Sequence, residues 1–300
     1  MNVAAIDIGT NSVRLLITDA SGRELAREMF ITRLGQGVDV TGSLHPDAIA
    51  RTTEVLSGYR VSLVKHQVRR VRATATSAAR DATNSAQFFD AAERALGHRP
   101  ELIPGEEEAA LSFRGATHGL VAVAPGPYLV IDIGGGSTEF VLGEHTPEQL
   151  ISVNMGCVRM AERHLRSDPP SSEQLEACFA DVRQTLERVK QTVEVARART
   201  VVGLAGTITA LAYLQKGLKH YDPAQTHRTW LTREQIEALF SSLARANVEQ
   251  RRAMLAEPKR AEVIVGGAAV LVTLMRELDF AALLVSESDI LDGIAASLRD

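Results

Sequence analysis

At 300 residues the chain is long enough for two compact cores, and 45% hydrophobic with 23% charged residues describes an ordinary globular protein. Its 33 Lys and Arg against 37 Asp and Glu give a net charge near −4, which argues against nucleic-acid partners and leaves only a local basic cleft open. No apolar run reaches the length of a membrane span, no signal-like stretch precedes the first strand, and Cys157 and Cys178 have no paired spacing, so a cytoplasmic protein away from the membrane is expected. The eight histidines form no metal-binding cluster, and His220 and His227 read as surface residues of a polar loop.

Val3-Ala-Ala-Ile-Asp7-Ile-Gly9-Thr10-Asn11-Ser12 predicts a buried strand that ends in a carboxylate and a small polar turn. Val13 to Thr18 resumes as a strand, Ser21-Gly22 is a turn, and Glu24 to Leu34 predicts a third strand. Pro46 sits well in the first turn of a helix running to about His66. Val68 to Thr74 predicts a strand, and Ala75-Thr-Ser-Ala-Ala-Arg80-Asp81 follows at its carboxyl end, where α/β folds bind ligands. A helix over Ser85 to Leu96, a short strand at Glu101 to Ile103 and a break at Pro104-Gly105 lead to Glu106-Glu107-Glu108-Ala109 at a helix start. Acids there suit the helix dipole, and one of them facing a cleft as a base is the alternative.

Pro125-Gly126-Pro127 marks the boundary between two domains, 1–122 and 123–300, with the last helix able to pack back on the first. Beyond it, Tyr128 to Ile131, Asp132-Ile-Gly134-Gly135-Gly136-Ser137-Thr138-Glu139 and Phe140 to Leu142 read as strand, turn and strand. Three glycines let a ligand approach the backbone, successive N–H groups form a concave anion site, and two carboxylates seven residues apart suit a hard cation such as Mg²⁺. A plain hairpin with glycines in its turn is the weaker explanation once an aspartate, three glycines and Ser-Thr-Glu stand together. Asp7-Ile-Gly9 and Asp132-Ile-Gly134 lie 125 residues apart, the mark of a duplicated unit.

Ile151 to Arg159 predicts a strand and turn entering a helix. Ser171 or Ser172 then caps a long helix whose Leu175, Phe179, Val182, Leu186, Val189 and Val193 line one buried face. Thr200 to Thr209 reads as a strand, a glycine turn and a helix without the lysine of a P-loop. Gly203 and Gly206 there fit either a phosphate cradle or close helix–strand packing. Helices over Arg233 to Ala246 and Glu262 to Glu277 follow, the latter interrupted by Gly266-Gly267. A buried strand at Phe280 to Val285 and a closing helix over Ile290 to Leu298 complete the chain. Asp289 and Asp292 read as helix-start acids, with cleft lining the alternative. The Gly266-Gly267 helix and the chain length together make a homodimer plausible, although core packing explains the same residues.

Six ordered motifs resemble the exopolyphosphatase and guanosine pentaphosphate phosphohydrolase family, within the actin-like superfamily. They are Ala5 to Arg14, Ala73 to Arg80, Ile103 to Ala109, Val130 to Glu139, Met155 to Arg159 and Gly203 to Thr209. The resemblance implies two actin-like (ribonuclease-H-like) α/β domains with an interdomain cleft. It implies hydrolysis of the terminal phosphoanhydride bond of polyphosphate or of guanosine pentaphosphate, assisted by Mg²⁺ or another divalent cation. Glu108 would be the general base, with Glu107 the fallback. Asp132, Glu139 and Asp7 would lie on the metal side. Thr10, Asn11, Ser12, Arg14, Arg80, Gly134, Gly135, Gly136, Ser137 and Thr138 would bind phosphate. Longer relatives carry additional helical domains, so high processivity on long chains is not expected unless a dimer completes the groove. A kinase and a nucleotide-binding structural module are the rival readings of the same scaffold.

Overall fold

The structure, a computed structural model, describes residues 1–299 and divides into two compact units. One is Met1–Gly115 together with the segment from Asp289 onward; the other is Ala116–Ser288. In chain order the first unit holds β1 (Val3–Ile8), β2 (Ser12–Thr18), β3 (Glu24–Ile31), α1 (Val38–Thr41), α2 (Pro46–Lys65), β4 (Arg70–Ala75), α3 (Ser77–Asp81), α4 (Ser85–Leu96), β5 (Glu101–Leu102) and most of α5 (Gly105–Thr117). The second unit holds β6 (Tyr128–Ile133), β7 (Thr138–Gly143), β8 (Pro147–Val153), α6 (Cys157–His164), α7 (Ser172–Thr192), β9 (Thr200–Leu204), α8 (Ala205–Gln215), α9 (Pro223–Thr226), β10 (Trp230–Thr232), α10 (Arg233–Arg245), α11 (Val248–Met254), α12 (Ile264–Glu277) and β11 (Ala282–Val285). Helix α13 (Ile290–Ser297) returns to the first unit. The outward crossing at Gly115–Ala116 falls inside α5, ahead of the proline-rich segment, because the helix runs unbroken to Thr117.

Each unit is built on one mixed sheet, with strand orders β3-β2-β1-β4-β5 and β8-β7-β6-β9-β11-β10. In both, the central strand pairs antiparallel with the next strand in sequence and parallel with a later one, which is the actin-like, ribonuclease-H-like arrangement. Strand β1 is buried on both faces. Ala4, Ile6 and Ile8 pack into a core with Leu56, Tyr59 and Phe88 of α2 and α4, while Ala5 joins Leu111, Ile290 and Ile294 of α5 and α13. Period-two alternation thus gives the first sheet a helical layer on each side.

In the second unit Leu129, Ile131 and Ile133 share a core with Val182, Leu186 and Val189 of α7 and with α12. Every residue of α12 from Ile264 to Met275 is buried, as expected of a helix apolar all round. A Cβ at Gly266 would stand 2.7 Å from the Cys157 carbonyl, and one at Gly267 would stand 2.8 Å from Cys157 Cβ and overlap Thr207. The Gly266-Gly267 pair is therefore a three-helix crossing of α12 with α6 and α8. It offers no surface to a second copy.

Boundaries depart from expectation at several strands: the one expected from Val68 begins at Arg70, and the one expected at Ile151 begins earlier, at Pro147. The third strand stops at Ile31, because the Thr32 and Arg33 N–H groups turn to the Asn11 carbonyl at 3.1 and 2.9 Å. The last strand begins at Ala282, because the Phe280 N–H closes the end of α12 on the Met275 carbonyl. Helix starts carry the expected chemistry: Ser171 with Gln174 and Thr232 with Gln235 are capping boxes, and Pro46 is the first residue of α2.

Candidate active site

The two hairpin turns are the same object built twice. Gly9 N–H donates to the Ser12 carbonyl at 3.0 Å, and Gly134 N–H to the Ser137 carbonyl at 3.0 Å. Across the ladders Asp7 faces Arg14, and Asp132 faces Glu139. One exchange separates them. The first unit pairs its aspartate with a cation, and the second with another carboxylate.

Arg14 Nε and Nη2 donate to Asp7 Oδ2 at 3.1 and 2.7 Å, and Nη1 donates to Asp289 Oδ2. All three guanidinium nitrogens thus face carboxylates of their own unit, where the sequence led us to expect phosphate. Burial pushes the Asp7 carboxyl above its usual range; Arg14 pulls it back and Asp289 pushes it up again. Asp289 is also the N-cap of α13 and forms its capping box with Asp292, which accepts from Arg27 at 2.9 Å. The helix-start reading of Asp289 and Asp292 therefore accounts for half of their contacts. The other half, across 275 and 265 residues, has no local sequence signal.

Thr10 and Asn11 are buried, and Thr10 Oγ1, Asn11 Nδ2 and Asn11 Oδ1 have no hydrogen-bond partner. Buried polar atoms are nearly always paired, so a polar ligand or water is implied at this turn. Ser12 is only partly buried.

Glu108 lies in the first turn of α5, and its Oε2 accepts from Arg80 Nη1 at 2.8 Å. The same Nη1 donates to the Ile103 carbonyl at 3.0 Å, tying α3 to the strand that leads into α5. Glu107 points elsewhere. It accepts from Arg72, which also holds Glu101 at 3.0 Å, in an ion-pair cluster nearer solvent. Glu106 is exposed. Arg72 was not singled out by the sequence; its alternation with Val71 on an edge-ward strand was the available signal.

In the second unit the carbonyls of the glycine turn are drawn to the start of α6. Cys157 N–H donates to Gly134 O and Val158 N–H to Gly135 O, each at 2.9 Å, and Arg159 Nε donates to Gly136 O at 2.7 Å. With its carbonyls so used, the turn has its Gly135 and Gly136 N–H groups bonded to no described backbone acceptor. Gly156 makes this docking possible, because any Cβ there would collide with the Gly135–Gly136 peptide. The Thr138 hydroxyl is spent on the Met155 carbonyl, which fixes the turn. Glu139 is fully buried and accepts from Ser152 at 2.7 Å.

Asp132 and Glu139 project from the same face as a cross-strand pair, and two such oxygen donors fit a Mg²⁺ ion that keeps most of its waters. Asp7 fits less well, since the Arg14 guanidinium occupies its Oδ2. Among the described residues no group of three His, Cys, Asp or Glu forms a metal cluster. At the third glycine turn, Gly203 is needed for packing: a Cβ would stand 2.8 Å from Ile208 and 3.0 Å from Leu283. Gly206 makes room for the Arg260 guanidinium.

The model of the Ppx/GppA phosphatase family matches residues 17–299. The chain belongs to this family. It is an enzyme, a phosphoanhydride hydrolase. It is 47% identical to exopolyphosphatase 2 of Mycobacterium tuberculosis over 99% of this chain and 98% of that one. It is 30% identical to a guanosine-5'-triphosphate,3'-diphosphate pyrophosphatase of Vibrio campbellii, covering 99% of this chain but 59% of that protein. Among solved structures, a Ppx/GppA family member of Aquifex aeolicus superposes with a TM-score of 0.81 at 33% identity, over 99% of this chain and 97% of that one. As a Ppx/GppA phosphatase the chain has no helix, among the described residues, long and apolar enough to cross a membrane.

Proposed function

We propose that this Ppx/GppA phosphatase is an exopolyphosphatase, releasing the terminal phosphate of inorganic polyphosphate. The observation that carries the reading is the 47% identity to exopolyphosphatase 2 over nearly the whole of both chains. In this reading Glu108 takes a proton from the attacking water as general base, and Arg80 orients its carboxylate. The P–O bond to the departing chain breaks and its electron pair leaves with that chain. Thr10, Asn11 and Ser12 of the first unit would hold non-bridging phosphate oxygens, and in the second unit the N–H groups of the Gly134–Thr138 turn would serve as an anion site. Phosphoryl transfer depends chiefly on such positioning and charge stabilisation. A divalent cation held by Asp132 and Glu139 would supply neutralising charge on the phosphates.

A second reading, hydrolysis of the 5' terminal phosphate of guanosine pentaphosphate, is favoured by the likeness to the Vibrio campbellii pyrophosphatase. Both substrates present the same anhydride to the same turns. Phosphate release should be measured from polyphosphate, guanosine pentaphosphate and ATP in parallel, with Mg²⁺ and with chelator. Fastest release from polyphosphate, lost on chelation, is expected. A kcat/KM at least tenfold higher for guanosine pentaphosphate would replace the first reading with the second.

A further inference from the structure

The end of the first unit's sheet holds a group of buried polar atoms that the sequence motifs only half define. Ser77, the first residue of α3, is 2% exposed, and its Oγ has no hydrogen-bond partner. It shares that condition with Thr10 Oγ1 and with both side-chain polar atoms of Asn11. The two segments meet. The Thr76 N–H donates to the Ile8 carbonyl at 3.3 Å, and the Gly35 N–H donates to the Thr10 carbonyl at 2.8 Å. A Cβ on Gly35 would overlap Thr10 and stand 2.9 Å from Ala78 Cβ, so the residue after Ser77 packs beside Thr10 with no room for another side chain.

The second unit supplies an internal control. Asp7 pairs with Thr74 on β4, and Asp132 with Leu204 on β9; three residues further on, Ser77 starts α3 and Thr207 lies in the first turn of α8. There the protein fills the place with its own groups. The Arg260 guanidinium lies against Gly206, and Thr207 packs against the Gly267 position and is not among the unpartnered buried groups. In the first unit Thr10, Asn11 and Ser77 keep unpartnered polar atoms.

Buried polar atoms are nearly always paired, and each exception calls for an explanation such as a water or a ligand. The chemistry of the set narrows that ligand. Thr10, Ser77 and the Asn11 amide offer three donors, which suits a non-bridging phosphate oxyanion. The Asn11 carbonyl accepts only, so its partner carries a proton, as water does. Three residues along α3, Arg80 reaches Glu108.

We propose that Ser77 is a direct substrate contact, its hydroxyl donating to a phosphate oxygen seated between Thr10, Asn11 and α3. The inference rests on the phosphatase reading and adds a residue to it. These donors would read a phosphate oxygen and not what the phosphate is attached to.

Two measurements on the full chain test it: the melting-temperature rise given by inorganic tripolyphosphate, and kcat/KM for phosphate release. In Ser77→Ala the apo melting temperature is expected to stay equal or rise, because an unpartnered buried hydroxyl is removed. The tripolyphosphate-induced rise should shrink, and kcat/KM should fall about 10- to 100-fold, the worth of one hydrogen bond to a charged group. Ser77→Thr, which restores a hydroxyl, should recover part of both. An unchanged tripolyphosphate response in Ser77→Ala overturns the proposal. So does a destabilised or unfolded apo Ser77→Ala, which would make the hydroxyl structural. Should the wild-type chain release phosphate from no substrate, the functional reading fails, and the tripolyphosphate response alone still decides Ser77.

Discussion

Arg80 holds Glu108: Nη1 of the guanidinium lies 2.8 Å from the carboxylate, and the same nitrogen is pinned to the Ile103 carbonyl. A general base must be aimed as well as basic, and this contact fixes the side chain from outside its own helix. Glu108→Gln is expected to lower kcat by roughly 10²–10⁴-fold, the range of general-base catalysis, while tripolyphosphate binding stays within a few-fold of wild type. Glu107→Gln serves as its comparison. Glu107 belongs to the Arg72–Glu101 cluster near solvent, where an ion pair is worth about 0–1 kcal/mol. Its turnover should be close to normal. The reverse pattern in steady-state assays would move the base to Glu107.

Arg14 is predicted to matter for stability before it matters for phosphate. Arg14→Met leaves Asp7 and Asp289 buried without their shared cation, and breaking such a pair destabilises by about 3 kcal/mol. The pH dependence follows from Asp7. Burial raises its folded-state pKa above the unfolded value, so the cost of keeping it ionised is present above the folded pKa and is relieved as pH falls through it. Losing Arg14 removes a lowering influence and raises that pKa further. The gap in melting temperature between wild type and Arg14→Met should therefore be widest near neutral pH and narrow toward pH 4. A variant with normal melting at pH 7 but a raised KM would return Arg14 to phosphate binding.

The hairpins were legible because an apolar strand ending in Asp-Ile-Gly has few ways to fold, and because the pattern occurs twice, 125 residues apart. Glu108 was separable from Glu107 only as a neighbour of Ala109; in the fold Arg80 and Arg72 take one acid each. What was not legible shares one cause. The contacts of Arg14 with Asp289, the burial of Ser77 and the three-helix crossing at Gly266-Gly267 depend on segments far apart in sequence. Local chemistry offers a sufficient account of each residue alone, so acids read as caps and paired glycines as a possible interface. Only the pairing of remote elements shows which polar groups lack a partner.

Two glycines should respond in opposite directions to the same added methyl. Gly58 lies on the exposed side of α2 with nothing within 4 Å of an added Cβ. Gly58→Ala should stabilise by about 0.5–1 kcal/mol through helix propensity alone. At Gly156 the methyl meets the Gly135–Gly136 peptide, and backbone cannot yield as a side chain can. Gly156→Ala should cost at least 1–3 kcal/mol, roughly the penalty of overpacking, and should lower kcat/KM by displacing the glycine turn. Calorimetric melting with phosphate-release assays on both variants checks this. A Gly156→Ala enzyme of normal activity would mean the turn can shift without consequence for the chemistry.

Neither cysteine is expected to take part in turnover. Cys178 lies fully buried on the core face of α7, and burial, reinforced by the charge of Asp181, pushes its thiol up to about 12. Cys157 begins α6 with 3% exposure; burial raises its thiol as well, against the opposing influence of Arg260 and Thr207. The thiolate is the reactive form, so both should be inert in the native state. Ellman's reagent at pH 8 should label neither cysteine on the timescale of an activity assay and both after denaturation in guanidinium, and iodoacetamide should leave phosphate release intact. Fast labelling of Cys157 accompanied by loss of turnover would show that the start of α6 opens during catalysis. That motion would carry the Gly134 and Gly135 carbonyls with it, since the Cys157 and Val158 N–H groups are their donors.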